Sequence, residues 1–332
     1  MPINKGFVLA SRPRGEANAG NFRFFEAPAP QPGAGEVLVR HHYLSLDPYM
    51  RGRMDESRSY AASQKLDEVM IGGTVGEVVA SNDSAFAVGD RVVGQGGWQL
   101  YSVARAADLR KLPAAKVPVQ AFLGALGMPG VTAWHGVNRI LEPGAEQTLV
   151  VSAATGAVGA VVGQLAKARG ARVVGIAGGA EKCGYAVASL GFDACVDHRS
   201  PAFEANLAAA TPQGIDRLFE NVGGAPFRAS FRRLNDFGRV AICGLIASYE
   251  GAAATTIDDM RLVLVRRLMV QGFIVMDHME DWPRAIAELA ALAESGRLTW
   301  RESVAQGIES APEAFFGMLK GRNFGKQLVR LI

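Results

Sequence analysis

The chain has 332 residues, enough for two hydrophobic cores, and its 49% hydrophobic and 20% charged residues are typical of a globular protein. Its 35 basic and 32 acidic residues leave a formal charge of only +3 and form no basic block, so we expect no nucleic-acid partner. The three cysteines stand far apart without a C-x-x-C pair, which argues against a disulfide framework and a structural zinc site and favours a reducing, cytoplasmic setting.

Residues 1–125 predict an all-β module. Short runs that alternate apolar and polar residues, such as residues 36–46 and 74–81, are separated by turns rich in proline and glycine. His41 and His42 are adjacent in one of these runs. Their side chains therefore point to opposite faces of a strand and do not form a simple metal-ligand pair.

Residues 126–297 predict an α/β domain. Short, mostly uncharged runs rich in β-branched residues are typical of buried parallel strands, and they are Thr148–Ala153, Ala171–Ala177, Ala194–His198, Ile215–Val222, Arg239–Ile246 and Val270–Met276. Helical patterns follow them at Ala157–Arg169, Ala180–Leu190, Pro201–Ala210, Ala225–Asn235, Ile257–Leu268 and Trp282–Gly296. This alternation predicts βαβ units and a six-stranded parallel sheet. Residues 298–332 return to mixed strands, and we expect them to complete the β domain of residues 1–125.

The uncharged segment 147–166 has a membrane span as its alternative interpretation. Polar residues such as Gln147, Ser152 and Gln164 interrupt it, and its β-branched residues stop where the small residues begin. This order favours a strand, a turn and a helix. The first residues of the chain also contain no apolar stretch of the kind that a secretory signal requires, so we expect no membrane association.

A run of small residues after the first of these strands predicts a binding site. Ala154-x-Gly156-x-x-Gly159 is a variant of G-x-G-x-x-G, and Gly163 lies one helical turn further on. Small residues at such a turn let an anionic group approach the amides at the helix N-terminus. A single match to this glycine pattern is weak evidence for a nucleotide site, and its alternative is that the small residues only allow close helix packing. The position after a strand and at the start of a βαβ series favours the pyrophosphate of a dinucleotide.

The end of the second strand favours NADPH over NADH. An NAD-binding unit places an acidic residue about twenty residues after the glycine turn, where it accepts hydrogen bonds from the ribose hydroxyls. Here Ala177, Gly178 and Gly179 leave room instead, and Lys182 supplies a cation for a 2′-phosphate. Glu181 is adjacent but lies past the strand end. The alternative for Lys182 is an ordinary solvated lysine.

Eight stretches, in order along nearly the whole chain, carry a family resemblance. They are "SLDPYMRGRM", "GMPGVTAWHGV", "AATGAVGAVVGQLAK", "VVGIAGGAEKC", "GFDACVDH", "GIDRLFENVGG", "AICGLIASY" and "GMLKGRNFGK". Together they resemble the zinc-independent medium-chain dehydrogenase/reductase superfamily. Within it they are similar to the prostaglandin reductase and alkenal double-bond reductase group, most closely its bacterial curcumin-reductase-like members. The resemblance implies a GroES-like β domain, a Rossmann domain and NADPH-dependent reduction of the carbon-carbon double bond of α,β-unsaturated ketones or aldehydes.

The resemblance also implies the residues of the cofactor site. It places the 2′-phosphate beside Gly178 and Lys182, and His198 takes a position where many family members have a tyrosine near that phosphate. Asn221 and Asn323 match positions near the cofactor's backbone and its nicotinamide half, although an asparagine after a strand is also a common turn residue. The residues placed on the pyrophosphate are Thr155, Gly156, Ala157, Val158 and Gly159.

Two tyrosines match substrate-site positions of the family. Tyr49 corresponds to a residue that lines the substrate cleft, and Tyr249 to one close to the nicotinamide ribose and the substrate oxygen. A hydroxyl there would stabilise a developing enolate, and the proton for the α-carbon could come from water. The cysteine and histidine sets that bind zinc in alcohol-dehydrogenase relatives are absent from the sequence, so we expect a reaction without metal. The alternative for both aromatic rings is packing.

Two rival functions remain open, and the assembly state adds an expectation. A quinone reductase shares this fold and cofactor, whereas a non-catalytic protein would bind NADPH and not oxidise it. The last strand of the predicted sheet, residues 270–276, is an apolar edge that an isolated monomer would leave exposed. We therefore expect a homodimer joined at or near this strand, in keeping with the family.

Overall fold

The computed structural model describes residues 2–113, 116–249 and 254–332. It divides into two compact units. The β unit comprises Met1–Gly124 and Glu302–Ile332, and the α/β unit comprises Ala125–Arg301. The C-terminal segment therefore belongs to the β unit.

The first part of the β unit is built mainly of short strands, with the short helix α1 among them. In chain order they are β1 (Ile3–Leu9), β2 (Phe22–Pro28), β3 (Glu36–Ser45), α1 (Tyr49–Arg53), β4 (Thr74–Ser81), β5 (Arg91–Gly94), β6 (Tyr101–Arg105) and β7 (Arg110–Lys111).

Helices and strands alternate through the α/β unit. They are α2 (Met128–His135), β8 (Thr148–Ser152), α3 (Gly159–Ala168), β9 (Arg172–Ala177), α4 (Ala180–Ala188), β10 (Ala194–Asp197), α5 (Phe203–Ala210), β11 (Ile215–Glu220), α6 (Gly224–Phe231), β12 (Leu234–Ile242), α7 (Arg261–Val265), β13 (Met269–Gly272) and α8 (Trp282–Glu294).

The C-terminal part returns to the β unit with β14 (Glu302–Gln306), α9 (Ala311–Leu319) and β15 (Lys326–Arg330). β15 pairs antiparallel with β3, so the end of the chain joins the sheet of the β unit. The strand order of this sheet is β14-β15-β3-β4-β5-β7, and β6 also pairs with β3. The core of this unit includes the stacked pair Phe22 and Trp98, and Phe315 of α9 packs against the Trp98 ring. Mixed strands alone were predicted for this segment, and α9 corrects that expectation.

The strands of the α/β unit form the predicted six-stranded parallel sheet, in the order β10-β9-β8-β11-β12-β13. Val150, Val174, Leu218 and Val240 are fully buried at the strand centres, which explains the uncharged sequence of these runs. β8 is central, with β9 on one side and β11 on the other. In sheets of this kind ligands bind at the carboxyl ends of the strands where the order reverses, here between β8 and β11.

Several element boundaries differ from the sequence prediction. α6 ends at Phe231 and β12 begins at Leu234, because the pairing of β12 with β11 shifts register across an irregularity that contains Phe237 at φ 60°. The helix expected over residues 257–268 is only α7, since Arg267 takes a left-handed conformation at φ 51°. The strand expected over residues 270–276 ends at Gly272.

Segment 147–166, for which a membrane span was the alternative interpretation, contains β8, a turn and most of α3. Across the described ranges 2–113, 116–249 and 254–332, no helix is long and apolar enough to cross a membrane.

Candidate active site

The turn between β8 and α3 brings the predicted pyrophosphate residues Thr155, Gly156, Ala157, Val158 and Gly159 together. The chain turns sharply at Ala153, whose φ is 50°, and the Gly156 amide donates to the Ala153 carbonyl at 2.8 Å. A Cβ on Gly159 would collide with that carbonyl, and one on Gly163 would collide with the ring of Phe192. Gly159 therefore allows the tight turn, and Gly163 allows α3 to lie close to its neighbours.

Asn221 lies beside this turn through the end of β8. Its side-chain amide donates to the Ser152 carbonyl at 2.8 Å, and its backbone amide donates to Ser152 Oγ at 2.8 Å. The structure thus joins the carboxyl ends of β8 and β11 at the point where the strand order reverses. Asn221 holds two strand ends in place with these bonds.

Glu220 organises this junction and was missed by the sequence analysis. It is fully buried, and its Oε1 accepts hydrogen bonds from Ser152 Oγ at 2.8 Å and from the amides of Val222 and Gly223 at 2.6 and 2.7 Å. Oε2 has no hydrogen-bond partner among the residues that the structure describes. Burial raises the pKa of Glu220 despite these donors. The available signal was an acidic residue at the end of an otherwise buried strand.

A second group of predicted residues surrounds Gly178, just after β9. A Cβ on Gly178 would lie 2.9 Å from His198 Nε2 and 3.0 Å from Arg199 Nε. Asp197 shapes this loop, because its Oδ1 accepts from the amides of Gly179 and Arg199, both at 2.9 Å. Arg199 was missed by the sequence analysis, and its signal was a second basic residue directly after His198.

The Arg199 guanidinium affects the two other basic residues near Gly178. Burial lowers the pKa of Lys182 first, and the neighbouring Arg199 guanidinium lowers it further. The pKa of His198 is lowered by the same two causes in the same order. A phosphate bound beside these residues would favour the protonated forms of Lys182 and His198 and pair with the Arg199 guanidinium.

Tyr249 lies in the loop that follows β12. Its hydroxyl oxygen accepts a long hydrogen bond of 3.5 Å from the Leu245 amide, and it would be 3.6 Å from a Cβ on Gly244. Burial raises the pKa of the phenol. The side chain therefore remains a neutral hydroxyl with its hydrogen available for donation.

Tyr49 and Asn323 belong to the β unit. Tyr49 begins α1, and burial together with the Asp47 carboxylate raises the pKa of its phenol. Asp47 is itself buried and bound to Lys326, whose Nζ donates to Asp47 Oδ1 at 2.7 Å and to the Leu46 carbonyl at 2.6 Å.

Asn323 makes a local turn contact, since its side-chain amide donates to the carbonyl of Gly325 at 2.7 Å. Gly325 has a φ of 78°, which belongs to the left-handed region. In the structure of this unit Asn323 has the geometry of the turn residue that was weighed as its alternative.

The adjacent histidines of β3 differ in environment. His41 is buried, its Nε2 lies 2.9 Å from Ser102 Oγ, and burial lowers its pKa to about 3. His42 is partly exposed, and its Nε2 lies 3.7 Å from Glu77. Within the described part of the chain, no group of three or more histidine, cysteine or acidic side chains is arranged to hold a metal ion.

Known proteins are similar to this chain over nearly its whole length. Residues 5–112 match the family model described as "N-terminal domain of oxidoreductase", and residues 157–291 match the one described as "Zinc-binding dehydrogenase". The chain is 45% identical to the NADPH-dependent curcumin reductase of Escherichia coli, over 99% of this chain and 97% of that protein. It is 38% identical to the NADP(+)-dependent 2-alkenal reductase of Nicotiana tabacum, over 90% of this chain and 88% of that protein.

A solved structure shows that the fold is similar as well as the sequence. CurA from Vibrio vulnificus, crystallised in complex with NADPH, superposes with a TM-score of 0.94 at 44% identity and covers 99% of both chains. The β unit is accordingly GroES-like, and the α/β unit is a Rossmann domain. The chain belongs to the medium-chain dehydrogenase/reductase family.

Proposed function

We propose that this protein is an NADPH-dependent reductase of activated carbon-carbon double bonds, in α,β-unsaturated ketones or aldehydes. The observation that carries the proposal is the near full-length similarity to reductases that are named for NADPH and for such substrates. This similarity spans both units, so it covers the residues proposed for the cofactor and those proposed for the substrate.

The α/β unit fits NADPH at two points. The turn from Ala153 to Gly159 is compact, and it ends at the N-terminus of α3, where backbone amides favour a pyrophosphate. Gly178 lies against the His198 imidazole and the Arg199 guanidinium, and a 2′-phosphate bound there would pair with the guanidinium and favour protonation of the imidazole. Bound NADPH would supply a hydride for the β-carbon of the substrate.

Tyr249 is the proposed catalytic residue. Its hydroxyl oxygen accepts from the Leu245 amide, so the phenolic hydrogen points elsewhere and can bind the substrate oxygen. Because burial keeps this phenol protonated, Tyr249 acts as a hydrogen-bond donor to the enolate and not as a base. We place Tyr49 against the substrate, and we assign the α-carbon proton to water, since no acid pair is proposed at the site.

We extend the proposal to a metal-free, cytoplasmic homodimer. The hydroxyl of Tyr249 offers a way to polarise the carbonyl without a metal, while His41 is buried against Ser102. The three cysteines stand apart in the sequence without a C-x-x-C pair, which suits a reducing compartment. β13 ends the parallel sheet, and an unpaired edge strand favours association with a second copy.

The test is an NADPH-oxidation panel of enones, enals, quinones and alcohols with product analysis, run in parallel with NADH. We expect enones and enals to yield the saturated carbonyl compound, with NADPH much preferred. Reduction of quinones alone would replace the proposal with a quinone reductase. NADPH binding without oxidation by any acceptor would identify a non-catalytic binding protein.

A further inference from the structure

A buried carboxylate at the end of β11 fixes the loop that follows this strand. Glu220 is fully buried, and its Oε1 accepts hydrogen bonds from the consecutive amides of Val222 and Gly223 at 2.6 and 2.7 Å. Gly223 and Gly224 both have a positive φ, 81° and 60°, so the chain turns sharply beside these amides. Consecutive backbone amides of this kind form a concavity that binds a negatively polarised oxygen. The side chain of Glu220 therefore holds the conformation of loop 221–224.

This loop is hydrogen-bonded to the segment that contains Tyr249. The Asn221 carbonyl accepts from the Ile246 amide at 3.3 Å, and the Ile246 carbonyl accepts in turn from the Tyr249 amide at 3.2 Å. The Val222 carbonyl accepts from the Ala247 amide at 2.9 Å. The position of the loop after β11 therefore sets the position of the segment with Tyr249.

A side-chain contact joins the same two segments a second time. Thr255 Oγ1 accepts a hydrogen bond from the Gly224 amide at 3.1 Å and lies 3.2 Å from Ser248 Oγ. Ser248 directly precedes Tyr249 in the chain. The end of the loop, as well as its start, is therefore connected to the surroundings of Tyr249.

The phenolic oxygen of Tyr249 lies close to the start of this loop. A Cβ on Gly244 would lie 3.3 Å from the Asn221 carbonyl oxygen and 3.6 Å from Tyr249 Oη. The Glu220 carbonyl accepts from the amides of Cys243 and Gly244 at 2.9 and 3.2 Å. Glu220 therefore holds Gly244 through its backbone and the loop beside Gly244 through its side chain.

We infer that Glu220 is a positioning residue for the reaction, because its buried carboxylate fixes the loop that sets the place of the Tyr249 hydroxyl. Glu220 acts through this loop and does not itself touch the substrate. The inference rests on the proposed role of Tyr249 as the donor to the substrate oxygen. Since a misplacement of about 1 Å can slow a reaction on the order of 100-fold, a loop that holds the hydroxyl in place acts on the rate of hydride transfer.

The important feature of the Glu220 side chain is a single acceptor oxygen. Ser152 Oγ donates to the same Oε1 at 2.8 Å, whereas Oε2 has no hydrogen-bond partner among the residues that the structure describes. A glutamine also has one such acceptor oxygen, and its amide nitrogen would take the place of Oε2. Glu220→Gln should therefore keep the loop in place, and Glu220→Ala should release it.

The experiment is a double-mutant cycle on single-turnover reduction of an enone, with NADPH and enone both saturating. Glu220→Ala should slow the reaction about 10-fold when Tyr249 is present, but less than about twofold in the Tyr249→Phe protein, where the hydroxyl is already absent. Glu220→Gln should remain within about threefold of the unaltered protein, since the acceptor oxygen is kept.

Asp281→Ala is the matched control for the loss of a buried carboxylate. Asp281 belongs to the same unit, and it is bound to His135 and Arg139. This variant should leave the rate unchanged, both in the presence of Tyr249 and in the Tyr249→Phe protein.

A second measurement does not depend on activity. Hydrogen exchange, followed by mass spectrometry on peptides that cover residues 243–249, should become faster in Glu220→Ala and stay unchanged in Asp281→Ala. Thr255→Val removes the other contact of the loop with little change in shape, so it should slow the reaction about threefold, again only when Tyr249 is present. This milder variant carries the test if Glu220→Ala does not fold.

Three results would overturn the inference. Equal losses of rate from Glu220→Ala in the two backgrounds, with and without the Tyr249 hydroxyl, would show that the carboxylate supports the fold in general. A Glu220→Gln protein as slow as Glu220→Ala would show that the acceptor oxygen is not the important feature. Unchanged exchange of residues 243–249 in Glu220→Ala would show that the loop does not hold this segment. An unaltered protein that reduces no enone would instead overturn the proposed function, and this inference with it.

Discussion

The pocket around Gly178 owes its charge to single side chains on neighbouring strands. Lys182 follows β9 on the first turn of α4, whereas His198 and Arg199 follow β10. The two groups meet because β9 and β10 are paired in register, with Ala177 opposite Asp197. A phosphate placed there would face cations from both segments.

The first prediction concerns these cations. Arg199→Ala and Lys182→Ala should each weaken NADPH binding by about 10- to 100-fold, because a hydrogen bond to a charged group contributes roughly 1.5–3 kcal/mol. NADH binding should change little, since NADH lacks the phosphate. Fluorescence titration of both cofactors is the measurement. Arg169→Ala at the far end of α3 is the control, and equal losses for the two cofactors would show that Arg199 supports the fold instead.

The second prediction concerns Tyr249. Tyr249→Phe should slow single-turnover reduction of an enone by about 10- to 100-fold, because its hydroxyl strengthens as charge gathers on the substrate oxygen and the ribose hydroxyl covers part of the loss. NADPH affinity should stay within about twofold, since the ring and its packing are kept.

Tyr185→Phe on α4 is the matched control for this substitution and should leave the rate unchanged. An unchanged rate in Tyr249→Phe would end its catalytic role. A slow rate with a large loss of NADPH affinity would make Tyr249 a cofactor-binding residue.

At the level of elements, α3 depends on glycines that have no space for a side chain. The site for a Cβ on Gly163 is filled by the ring of Phe192. At Gly184 in α4, by contrast, no described atom outside its chain neighbours and its own helix backbone lies within 4 Å of a Cβ built there. The same substitution should therefore have opposite effects in two neighbouring helices.

The third prediction follows from this contrast. Gly163→Ala should lower the free energy of unfolding by about 1–3 kcal/mol, because the new methyl group overpacks the contact with Phe192. Gly184→Ala should leave stability unchanged or raise it by up to about 1 kcal/mol, because alanine favours a helix. Denaturant unfolding of both variants measures the difference. Equal effects would mean that Phe192 moves aside without cost.

The fourth prediction concerns His41 in β3. Its pKa is about 3 in the folded state and about 6.5 in an unfolded chain, so the unfolded state takes up the proton first. This contribution to stability is complete above pH 6.5 and is lost as the pH falls from 6.5 toward 3. At pH 5 the loss relative to pH 7 should be about 2 kcal/mol.

Denaturant unfolding at pH 7 and pH 5 tests this linkage. The glutamine of His41→Gln cannot take up a proton. Between pH 7 and pH 5 this variant should therefore lose about 2 kcal/mol less of its free energy of unfolding than the unaltered protein. If the free energies of unfolding of the two proteins depend equally on pH, the folded protein does not lower the pKa of His41.

At the scale of the whole molecule, the fifth prediction is the dimer. Apolar side chains are exposed within β12 and on the segment before β13, and they are Phe237, Met260 and Leu264, the last at 77% exposure. Leu264→Glu should shift the protein toward monomer, as measured by light scattering at micromolar concentration, because it places a charge in an apolar contact. Val88→Glu in the β unit is the control, since Val88 is also exposed at 67%. A monomeric unaltered protein would contradict the prediction.

The sequence alone determined the features that depend on local patterns. The alternation of β-branched runs with helical patterns predicted the six-stranded parallel sheet, since a strand or helix periodicity is set by residues close in sequence. The turn from Ala154 to Gly159 was predicted for the same reason, because a tight turn needs small residues at fixed spacing. The early start of β12 and the end of α7 were not predicted, because they involve backbone conformations at Phe237 and Arg267 that no periodicity records.

Only the tertiary structure decided which distant residues meet. The pairing of β9 with β10 brings Arg199 to Gly178. The pairing of β8 with β11 places Glu220 against Ser152. Such contacts follow from strand order and register, which are set by the burial of whole surfaces and not by any short stretch of sequence. Sequence patterns could therefore predict the turn that would receive the cofactor, but not the Glu220 carboxylate at the neighbouring strand end or the Arg199 guanidinium beside Gly178.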